Sequence, residues 1–363
     1  MSPQAGRPNA AIEGDGFRGA DVLLALGEAP PIEEVRDFIR THYGFSGEVV
    51  QLRSERDENY RITAADGTHR LFKLAHAAED GAIVDFQTRA LLHMASVSPT
   101  IPLQRLVPSI DGAFEIAFTG SDGLARQGRM FTYLSGVPLG TLPQTARQAA
   151  AMGNLAAHLD ASLSSFRHAA DGHELLWDIK HAPRTRELLE HTRSTRDREL
   201  CIRTLDNFER LSPGLAGLRA QVIHNDLNPH NVLVDPNDAD RLTGIIDFGD
   251  MVHAPLINEV AVASAYLLTV NDAPLGTLPE FVAGYHAVCP LKPEEVEILP
   301  QLIAVRHAIT IAITNWRAAK YPENRDYILR NQQAAVKGLN KLFAIGEPAV
   351  RAQVAAALSA APP

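Results

Sequence analysis

The stretch from His224 to Asp250 constrains the fold of this chain more than any other part of the sequence. Residues 232–234 and 244–246 are short apolar runs typical of buried strands, and the turn-forming residues 235–238 separate them. Two such strands joined by a tight turn form an antiparallel hairpin. The hairpin would bring the polar residues at its two ends to the same edge of the fold.

The polar residues at that edge carry two carboxylates and one amide, from Asp226, Asp247 and Asn231. Their oxygen atoms are hard ligands of the kind that Mg²⁺ accepts together with phosphate oxygens. Phosphoryl transfer requires this set, because it needs a base near the attacking hydroxyl and metal ligands that neutralise the phosphate charge. The alternative is two surface turns whose side chains only cap the backbone. Three elements in this order and spacing favour the phosphoryl-transfer site.

These motifs resemble the catalytic core of the protein-kinase-like phosphotransferases, and among them the aminoglycoside and choline kinase family. Protein kinases carry H-R-D-x-x-x-x-N followed by D-F-G. Residues 224–226 with Asn231 match the first motif, and residues 247–249 match the second. The resemblance implies that Asp226 is the catalytic base and that Asn231 and Asp247 hold Mg²⁺. It also implies ATP or GTP as the phosphoryl donor.

Two departures from the protein-kinase pattern indicate a small-molecule acceptor. Asn225 stands where protein kinases have Arg, so an activation-loop phosphosite bound by that Arg is not expected. The segment between Asn231 and Asp247 is short, and no A-P-E motif follows it. The sequence therefore favours a small-molecule kinase over a protein kinase.

Composition limits the partners. The formal net charge is −9 at pH 7, which disfavours nucleic acid or an anionic membrane and suits a cationic substrate. Cys201 and Cys289 provide neither a disulfide framework nor a metal-binding spacing. No apolar run of membrane-spanning length and no signal pattern are expected, so we expect a cytoplasmic protein. The oligomeric state is left open.

The N-terminal part of the chain has the pattern of an antiparallel sheet. Helices are predicted over about residues 30–43 and 79–94. Short alternating segments fill much of residues 47–135, and from Gly136 onward the pattern is mostly helical apart from the catalytic hairpin. Asp-Gly pairs, a strong hairpin signal, lie at residues 66–67, 111–112 and 122–123.

The predicted fold class is α+β, in the bilobal arrangement of protein kinases. Residues 31–135 form the N-lobe, an antiparallel sheet with one inserted helix that binds the nucleotide. Residues 136–363 form a mainly helical C-lobe with the catalytic and acceptor-binding groups, and the hinge lies near residues 132–136. Residues 1–30 are predicted to be a flexible tail, because their first half is poor in large apolar residues.

Lys73 lies in the strand that follows the first Asp-Gly turn. The resemblance implies that it pairs with the α- and β-phosphates of the nucleotide. In protein kinases a Glu from the next helix orients this lysine, whereas the matching position here is Gln87. A neutral amide gives a weaker clamp unless a nearby carboxylate completes it. The candidates for that carboxylate are Glu79, Asp80 and Asp85.

The phosphate loop and the hinge complete the predicted nucleotide site. Residues 54–60 contain no glycine, so they cannot wrap phosphates as a Gly-rich loop does. We interpret this as a feature of small-molecule kinases. Thr132 and Leu134 lie in the predicted hinge, whose backbone would bind the purine ring. Backbone contacts carry no side-chain code, so adenine and guanine are not distinguished.

A narrower resemblance concerns the acceptor. Residues 247–256 and 259–261, with residues 176–180 and 306–316, resemble hydroxylysine kinases and the related module fused to class III aminotransferases. The resemblance covers about residues 45–345. It implies that the acceptor is an amino alcohol, in the first place 5-hydroxylysine.

A hydroxylated amino acid presents ammonium and carboxylate groups, and each needs a partner once it is desolvated. Asp250, Glu259 and Asp178 are candidates for the ammonium groups. Their alternatives are a backbone or metal contact, a helix cap and a surface charge, respectively. Arg306 lies on the apolar stripe of its helix, so it could bind the α-carboxylate or form a buried ion pair.

Several functions are open at this point. The leading hypothesis is an ATP- or GTP-dependent kinase of 5-hydroxylysine. Homoserine kinase and an aminoglycoside- or choline-type kinase are alternatives with the same fold. A catalytically silent kinase-fold binding protein is the non-enzyme alternative, suggested by Gln87 and the glycine-free loop. The presence of all three catalytic-site residues argues against it.

Overall fold

The computed structural model describes residues 29–54 and 56–360. The predicted flexible tail of residues 1–30 lies almost wholly outside the described residues. The described part consists of an antiparallel sheet with two helices, followed by a mainly helical part. This is the predicted α+β architecture.

The N-terminal part is built on one six-stranded antiparallel sheet. The strand order is β1-β2-β3-β6-β4, with β5 paired to β6. Both predicted helices are present, and Asp80 caps the second by accepting a hydrogen bond from Ala82 N–H. The elements are α1 (Ile32–Tyr43), β1 (Glu48–Leu52), β2 (Glu58–Thr63), β3 (His69–Leu74), α2 (Gly81–Val97), β4 (Leu106–Val107), β5 (Ile116–Thr119) and β6 (Ala125–Thr132).

The Asp-Gly pairs form turns, as predicted. Gly67 joins β2 to β3 and Gly123 joins β5 to β6, with φ angles of +82° and +75°. Backbone in this left-handed region favours glycine, which lacks a Cβ. The turn between β2 and β3 sets the register that places Lys73 opposite Asn59. On its other side β3 pairs with β6, where Arg129 lies opposite Lys73.

The sheet is buried on both faces, by α1 on one and by α2 on the other. Adjacent residues of one strand point to opposite faces, so Phe72 packs in the α1 cluster whereas Leu71 packs in the α2 cluster. Met130 and Phe131 divide in the same way on β6. Gly128 is required beside them, because a Cβ there would lie 2.7 Å from Cζ of Phe72. Full burial of a side chain such as Phe72 contributes about 1.5–3 kcal/mol.

The C-terminal part is mostly helical and contains two small antiparallel sheets, β10-β9-β7 and β11-β8. Its elements are β7 (Val137–Pro138), α3 (Ala146–Leu163), a 3₁₀ segment (Ile179–His191), α4 (Thr195–Leu215), β8 (Ala220–Ile223), β9 (Val232–Asp235), β10 (Asp238–Ile245), β11 (Val252–Pro255), α5 (Ile257–Leu267), α6 (Leu278–His286), α7 (Pro293–Lys320), α8 (Arg325–Ile328), α9 (Gln332–Ile345) and α10 (Glu347–Ala360). The hairpin predicted around residues 232–246 is β9-β10.

The passage between the two parts is short. The large sheet ends at Thr132, and the next strand, β7, already pairs with β9 of the C-terminal part. The proposed boundary after residue 135 falls between them. A second link is the hydrogen bond from the N–H of Ile245 to the carbonyl oxygen of Pro102, 2.9 Å long.

Helix α7 is 28 residues long and, by length and composition alone, could cross a membrane. This differs from the sequence analysis, in which no apolar run of that length was expected. In the structure 72% of its most apolar window is buried inside the protein, and it packs against α4, α5 and α9. A helix that is apolar nearly all round is typical of a protein core. Its burial accounts for its composition.

Candidate active site

The turn after β8 fixes the predicted catalytic base. His224 is fully buried, and burial lowers its pKa, so the ring is neutral. Its Nδ1 accepts a hydrogen bond from the backbone N–H of Asp226, 3.3 Å long, and its Nε2 lies 3.2 Å from the carbonyl oxygen of Ile246. The ring also packs edge-on against Phe248, with 4.8 Å between centroids. His224 therefore ties the loop that carries Asp226 to the D-F-G segment.

Glu259 supports this loop from the side of the protein core. Asn225 has a φ of +63°, and its backbone N–H donates a 3.0 Å hydrogen bond to Oε2 of Glu259. Glu259 lies on α5 and is fully buried. The prediction that it binds an ammonium group of the acceptor is corrected, because its carboxylate lies behind the catalytic loop and not in the cleft. A left-handed non-glycine residue costs on the order of 1–3 kcal/mol and persists only where its surroundings hold it.

Both oxygens of Asp226 accept hydrogen bonds. Nη2 of Arg306 lies 3.1 Å from Oδ1, and the amide nitrogens of Asn228 and Asn231 lie 3.0 and 2.8 Å from Oδ2. Every one of these neighbours is a donor, which is the set that an ionised carboxylate binds. Burial raises the pKa of Asp226 and Arg306 opposes this effect. A raised carboxylate pKa suits a general base, which works best when its pKa approaches the operating pH.

Asn231 and Asp247 stand at the two ends of the β9-β10 hairpin, as predicted. The backbone N–H of Ile246 donates to the carbonyl oxygen of Asn231, which closes the hairpin. The amide nitrogen of Asn231 is used by Asp226, so its amide oxygen is the atom left for a cation. Asp247 has a φ of +64° and an exposed carboxylate. This donor pair of one amide oxygen and one carboxylate fits Mg²⁺.

Lys73 lies between two carboxylates. Its Nζ is 3.5 Å from Oδ1 of Asp247 and 3.5 Å from Oδ2 of Asp57. The nearby ammonium group lowers the pKa of Asp247, so this carboxylate is ionised at neutral pH. Asp57 was not among the predicted partners. The signal that could have revealed it is its place in the glycine-free loop, one strand away from Lys73.

Gln87 and the three acidic residues proposed to complete the lysine clamp bind groups other than Lys73. The amide of Gln87 donates to the carbonyl oxygen of Gly249 over 3.0 Å and accepts from Nη2 of Arg129 over 3.0 Å. The prediction that Glu79, Asp80 or Asp85 completes the clamp is also corrected. Glu79 pairs with Arg56, Asp80 caps α2, and Asp85 pairs with Arg89 and His168.

Arg56 joins the glycine-free loop to the segment after D-F-G. Its Nη2 donates to the carbonyl oxygen of Gly249 over 2.7 Å and lies 3.4 Å from Oδ1 of Asp250. The approach is close, because a Cβ on Gly249 would lie 2.8 Å from the same nitrogen. Asp250 thus has a cation next to it, and its predicted contact with substrate or metal stays a prediction.

A cleft of about 550 Å³ contains most of these groups. The predicted residues that line it are Lys73, Asp226, Asn231, Asp247, Asp250 and Arg306. Other lining residues that the sequence analysis did not single out as site residues include Arg53, Arg56, Asp57, Trp177, Tyr266, Thr310, Thr314, Arg317 and Arg330. The cleft therefore contains both acidic groups and arginines, and Arg306 and Arg56 lie beside Asp226 and Asp250, respectively.

Arg306 forms the buried ion pair that the sequence analysis kept open, and it also lines the cleft. Its side chain is 2% exposed, and its guanidinium lies over the Trp177 ring at 5.2 Å from the centroid. Nη1 donates to the carbonyl oxygen of Trp177 over 2.9 Å. The prediction for Asp178 is corrected. It is fully buried, accepts from Lys180 N–H and begins the 3₁₀ segment.

The two predicted hinge residues, Thr132 and Leu134, contact other residues of the protein outside the cleft. Thr132 exchanges hydrogen bonds with Arg105, as its N–H donates to the carbonyl oxygen over 2.8 Å and its hydroxyl accepts from the N–H over 2.9 Å. Leu134 packs on Gly244, where a Cβ would lie 2.4 Å from its Cδ1. Neither lines the cleft, so purine binding by this backbone stays a prediction.

A family model described as the phosphotransferase enzyme family matches residues 48–299. The match covers more than half of the chain. The chain belongs to this phosphotransferase family. The predicted relationship to the aminoglycoside and choline kinases is thereby confirmed.

Relatives of this phosphotransferase include hydroxylysine kinases. It is 26% identical to the hydroxylysine kinase of Mus musculus over 334 residues, which are 86% of this chain and 89% of that protein. It is 24% identical to that of Danio rerio over 332 residues, covering 87% and 92%. The phosphotransferase therefore acts on an alcohol group, as predicted.

Solved structures with the same fold include an aminopropanol kinase associated with a microcompartment, with a TM-score of 0.66, 19% identity and coverage of 91% of this chain and 98% of that one. The choline kinase of Cryptosporidium parvum aligns with a TM-score of 0.58 at 12% identity, covering 89% and 99%. Amicoumacin kinase, solved with AMP-PNP and Ca²⁺, aligns with a TM-score of 0.63 at 16% identity, covering 82% and 92%. These likenesses confirm the predicted fold.

Proposed function

We propose that this phosphotransferase transfers the γ-phosphoryl group of ATP or GTP to the hydroxyl of 5-hydroxylysine, with Mg²⁺ as the metal. The observation that carries the proposal is the distribution of charge in the cleft. Asp226 and Asp250 lie near Lys73 and Asp247, while Arg317 continues the cleft wall along α7. The relatives named hydroxylysine kinase support the same acceptor.

The donor side is assigned to three residues. Lys73 would bind the α- and β-phosphates, because its ammonium group lies in the cleft beside Asp247. Asn231 and Asp247 would hold Mg²⁺ by an amide oxygen and a carboxylate. When bound, Mg²⁺ neutralises charge on the β- and γ-phosphate oxygens.

The acceptor hydroxyl is assigned to Asp226. The carboxylate accepts a hydrogen bond from the hydroxyl and orients its oxygen toward the γ-phosphorus. The O–P bond to the acceptor forms while the bond between the γ-phosphorus and the leaving diphosphate oxygen breaks, and the hydroxyl proton passes to Asp226. Asn228 and Asn231 hold the carboxylate in place throughout.

The acceptor's remote charges are assigned along α7. In 5-hydroxylysine the hydroxyl and one ammonium lie on adjacent carbons, and the α-carboxylate lies at the other end of the molecule. The ammonium would pair with Asp250. Arg306 holds Asp226 and Trp177, and Arg317 lines the same cleft further along α7. We therefore assign the α-carboxylate to Arg317.

The same charge distribution disfavours the alternative acceptors. Homoserine has no side-chain ammonium and would leave Asp250 without its proposed partner. Choline and aminoglycosides have no carboxylate for Arg317. Each mismatch loses one charge-assisted contact between the cleft and the acceptor, so each should reduce kcat/KM.

The test is a steady-state comparison of 5-hydroxylysine, homoserine, choline and kanamycin, each with Mg²⁺ and either ATP or GTP. We expect the highest kcat/KM with 5-hydroxylysine. Asp226→Asn serves as the control for acceptor-independent nucleotide hydrolysis. A higher kcat/KM with any other acceptor refutes the substrate, whereas no transfer to any of them, with the nucleotide bound, favours the silent binding protein.

A further inference from the structure

The partner of Lys73 comes from an unexpected element. Its Nζ is equally far, 3.5 Å, from a carboxylate oxygen of Asp57 and one of Asp247. The two carboxylates differ in exposure, since the side chain of Asp57 is 10% exposed and that of Asp247 is 55% exposed. A charge pair shielded from water interacts more strongly than an exposed one. Asp57 is therefore the partner of the lysine that is better shielded from water.

Strand geometry explains why Asp57 reaches Lys73. Strands β2 and β3 pair so that Asn59 lies opposite Lys73. Asp57 lies directly before β2 and two residues before Asn59, and its carboxylate oxygen lies 3.5 Å from Nζ of Lys73. Diagonal neighbours of this kind lie within reach of a long side chain.

The loop that carries Asp57 is held by contacts of Ser54 and Arg56, which both precede this residue. The hydroxyl of Ser54 donates to the backbone carbonyl oxygen of Asp57. Arg56 donates to the carbonyl oxygen of Gly249 over 2.7 Å and lies 3.4 Å from Asp250 and 3.7 Å from Glu79. The adjacent residues Arg56 and Asp57 thus bind the D-F-G segment and the lysine, respectively.

Helix α2 leaves this role unfilled. Gln87, at the position expected to orient the lysine, is bound to Gly249 and Arg129 instead. Its amide therefore connects α2 to the D-F-G segment but supplies no negative charge to Lys73. Glu79 is on the same side of the site and is used by Arg56.

We propose that Asp57 is the positioning residue that orients Lys73 toward the nucleotide phosphates, so that the glycine-free loop of residues 54–60 performs the task of the helix carboxylate. The inference rests on the proposed role of Lys73. The loop would then have two roles, because it lines the cleft at the proposed phosphate site and also orients the lysine. Movement of this loop would then change nucleotide binding and lysine orientation together.

The test compares Asp57→Asn, Asp57→Glu and Gln87→Ala with wild type, with Asp66→Asn as a matched control. Asp66 is an exposed carboxylate in the turn of the same hairpin. Steady-state kinetics with the nucleotide varied and the acceptor saturating give kcat and the nucleotide KM separately. Thermal unfolding of each variant checks that the fold is kept.

We expect Asp57→Asn to lower kcat/KM for the nucleotide by about 10- to 100-fold. Asp57→Glu should recover part of the loss, and Gln87→Ala should lose less than Asp57→Asn. The control Asp66→Asn should stay within about 5-fold of wild type. In a Lys73→Met background, Asp57→Asn should cause little further loss of kcat/KM, because both changes remove the same interaction between Lys73 and Asp57. These results together support the assignment.

Two outcomes overturn the proposal. If folded Asp57→Asn has wild-type kcat and an equal or lower nucleotide KM, Asp57 does not position the lysine and only occupies the place of a phosphate. If Gln87→Ala loses as much as Asp57→Asn, the helix performs the task. Near wild-type activity of Lys73→Met would instead refute the proposed role of Lys73 itself, so the two failures are distinguishable.

Discussion

Nη2 of Arg306 donates a hydrogen bond to Oδ1 of Asp226 over 3.1 Å, which joins the buried cation of α7 to the proposed catalytic base. The same guanidinium binds the backbone of Trp177 and lies over its ring. One side chain therefore fixes both the base and a wall of the acceptor cleft. A role in base orientation follows more directly from this geometry than a role in carboxylate recognition.

Replacement of Arg306 and of Arg317 should affect different kinetic constants. Arg306→Met removes the charge beside Asp226, so we expect kcat to fall by about 10-fold or more, with Arg306→Lys less affected. Arg317→Met should mainly raise KM for the acceptor, because the carboxylate is the acceptor group that Arg317 would bind and it lies away from the reacting hydroxyl. Steady-state kinetics with 5-hydroxylysine measure both. If Arg306→Met instead raises the acceptor KM and leaves kcat unchanged, Arg306 binds the acceptor's carboxylate.

Asp247 should be essential for turnover but dispensable for folding. Its side chain is 55% exposed, so Asp247→Ala leaves no cavity in the core, yet it removes the charged ligand proposed for Mg²⁺. We expect activity below detection and a thermal unfolding midpoint close to wild type. Asp66→Asn, at an exposed carboxylate away from the cleft, serves as the control. A folded Asp247→Ala protein with near wild-type activity contradicts the assignment.

The catalytic hairpin and the sheet were predictable because their signals are local. Asp-Gly turns and apolar alternation lie within a few residues of the elements that they define. Asn231 and Asp247 were placed together because one tight turn connects their strands. The apolar stripe around Arg306 likewise predicted its burial.

The errors concern contacts between distant parts of the chain. Glu259 and Asp178 were expected in the cleft, but both are fully buried supports of loops. No local pattern distinguishes a carboxylate that binds backbone N–H groups from one that faces a ligand. Asp57 was missed for the related reason that its role depends on the pairing of β2 with β3.

Asp226→Asn should separate base chemistry from binding. The amide keeps the shape of the carboxylate but not its basicity, so kcat should fall by about 10²-fold or more while nucleotide affinity changes little. Nucleotide binding can be measured by titration calorimetry in the absence of acceptor. The companion change Asn228→Ala, which removes one donor to Asp226, should cost less. Unchanged kcat in Asp226→Asn would exclude Asp226 as the base.

His307 should make the stability of this protein dependent on pH. It is buried on α7, and its packing is close, since a Cβ on Gly338 would lie 2.4 Å from its Nε2. Burial, with a smaller effect of Arg306, lowers the pKa of His307 to about 3. The folded state therefore holds it neutral, whereas the unfolded chain binds a proton below a pKa of about 6.5.

The contribution of His307 to the free energy of unfolding is fully present above the unfolded pKa. It is lost as pH falls from about 6.5 toward 3, by about 1.4 kcal/mol per pH unit. Between pH 7 and pH 5 we expect His307 to account for a loss of roughly 2 kcal/mol in the free energy of unfolding. Urea unfolding at both pH values measures it. His307→Leu should lose less stability than wild type over this range, and the exposed His69→Gln should behave as wild type. Equal losses in all three proteins would show that His307 is not held neutral by the fold.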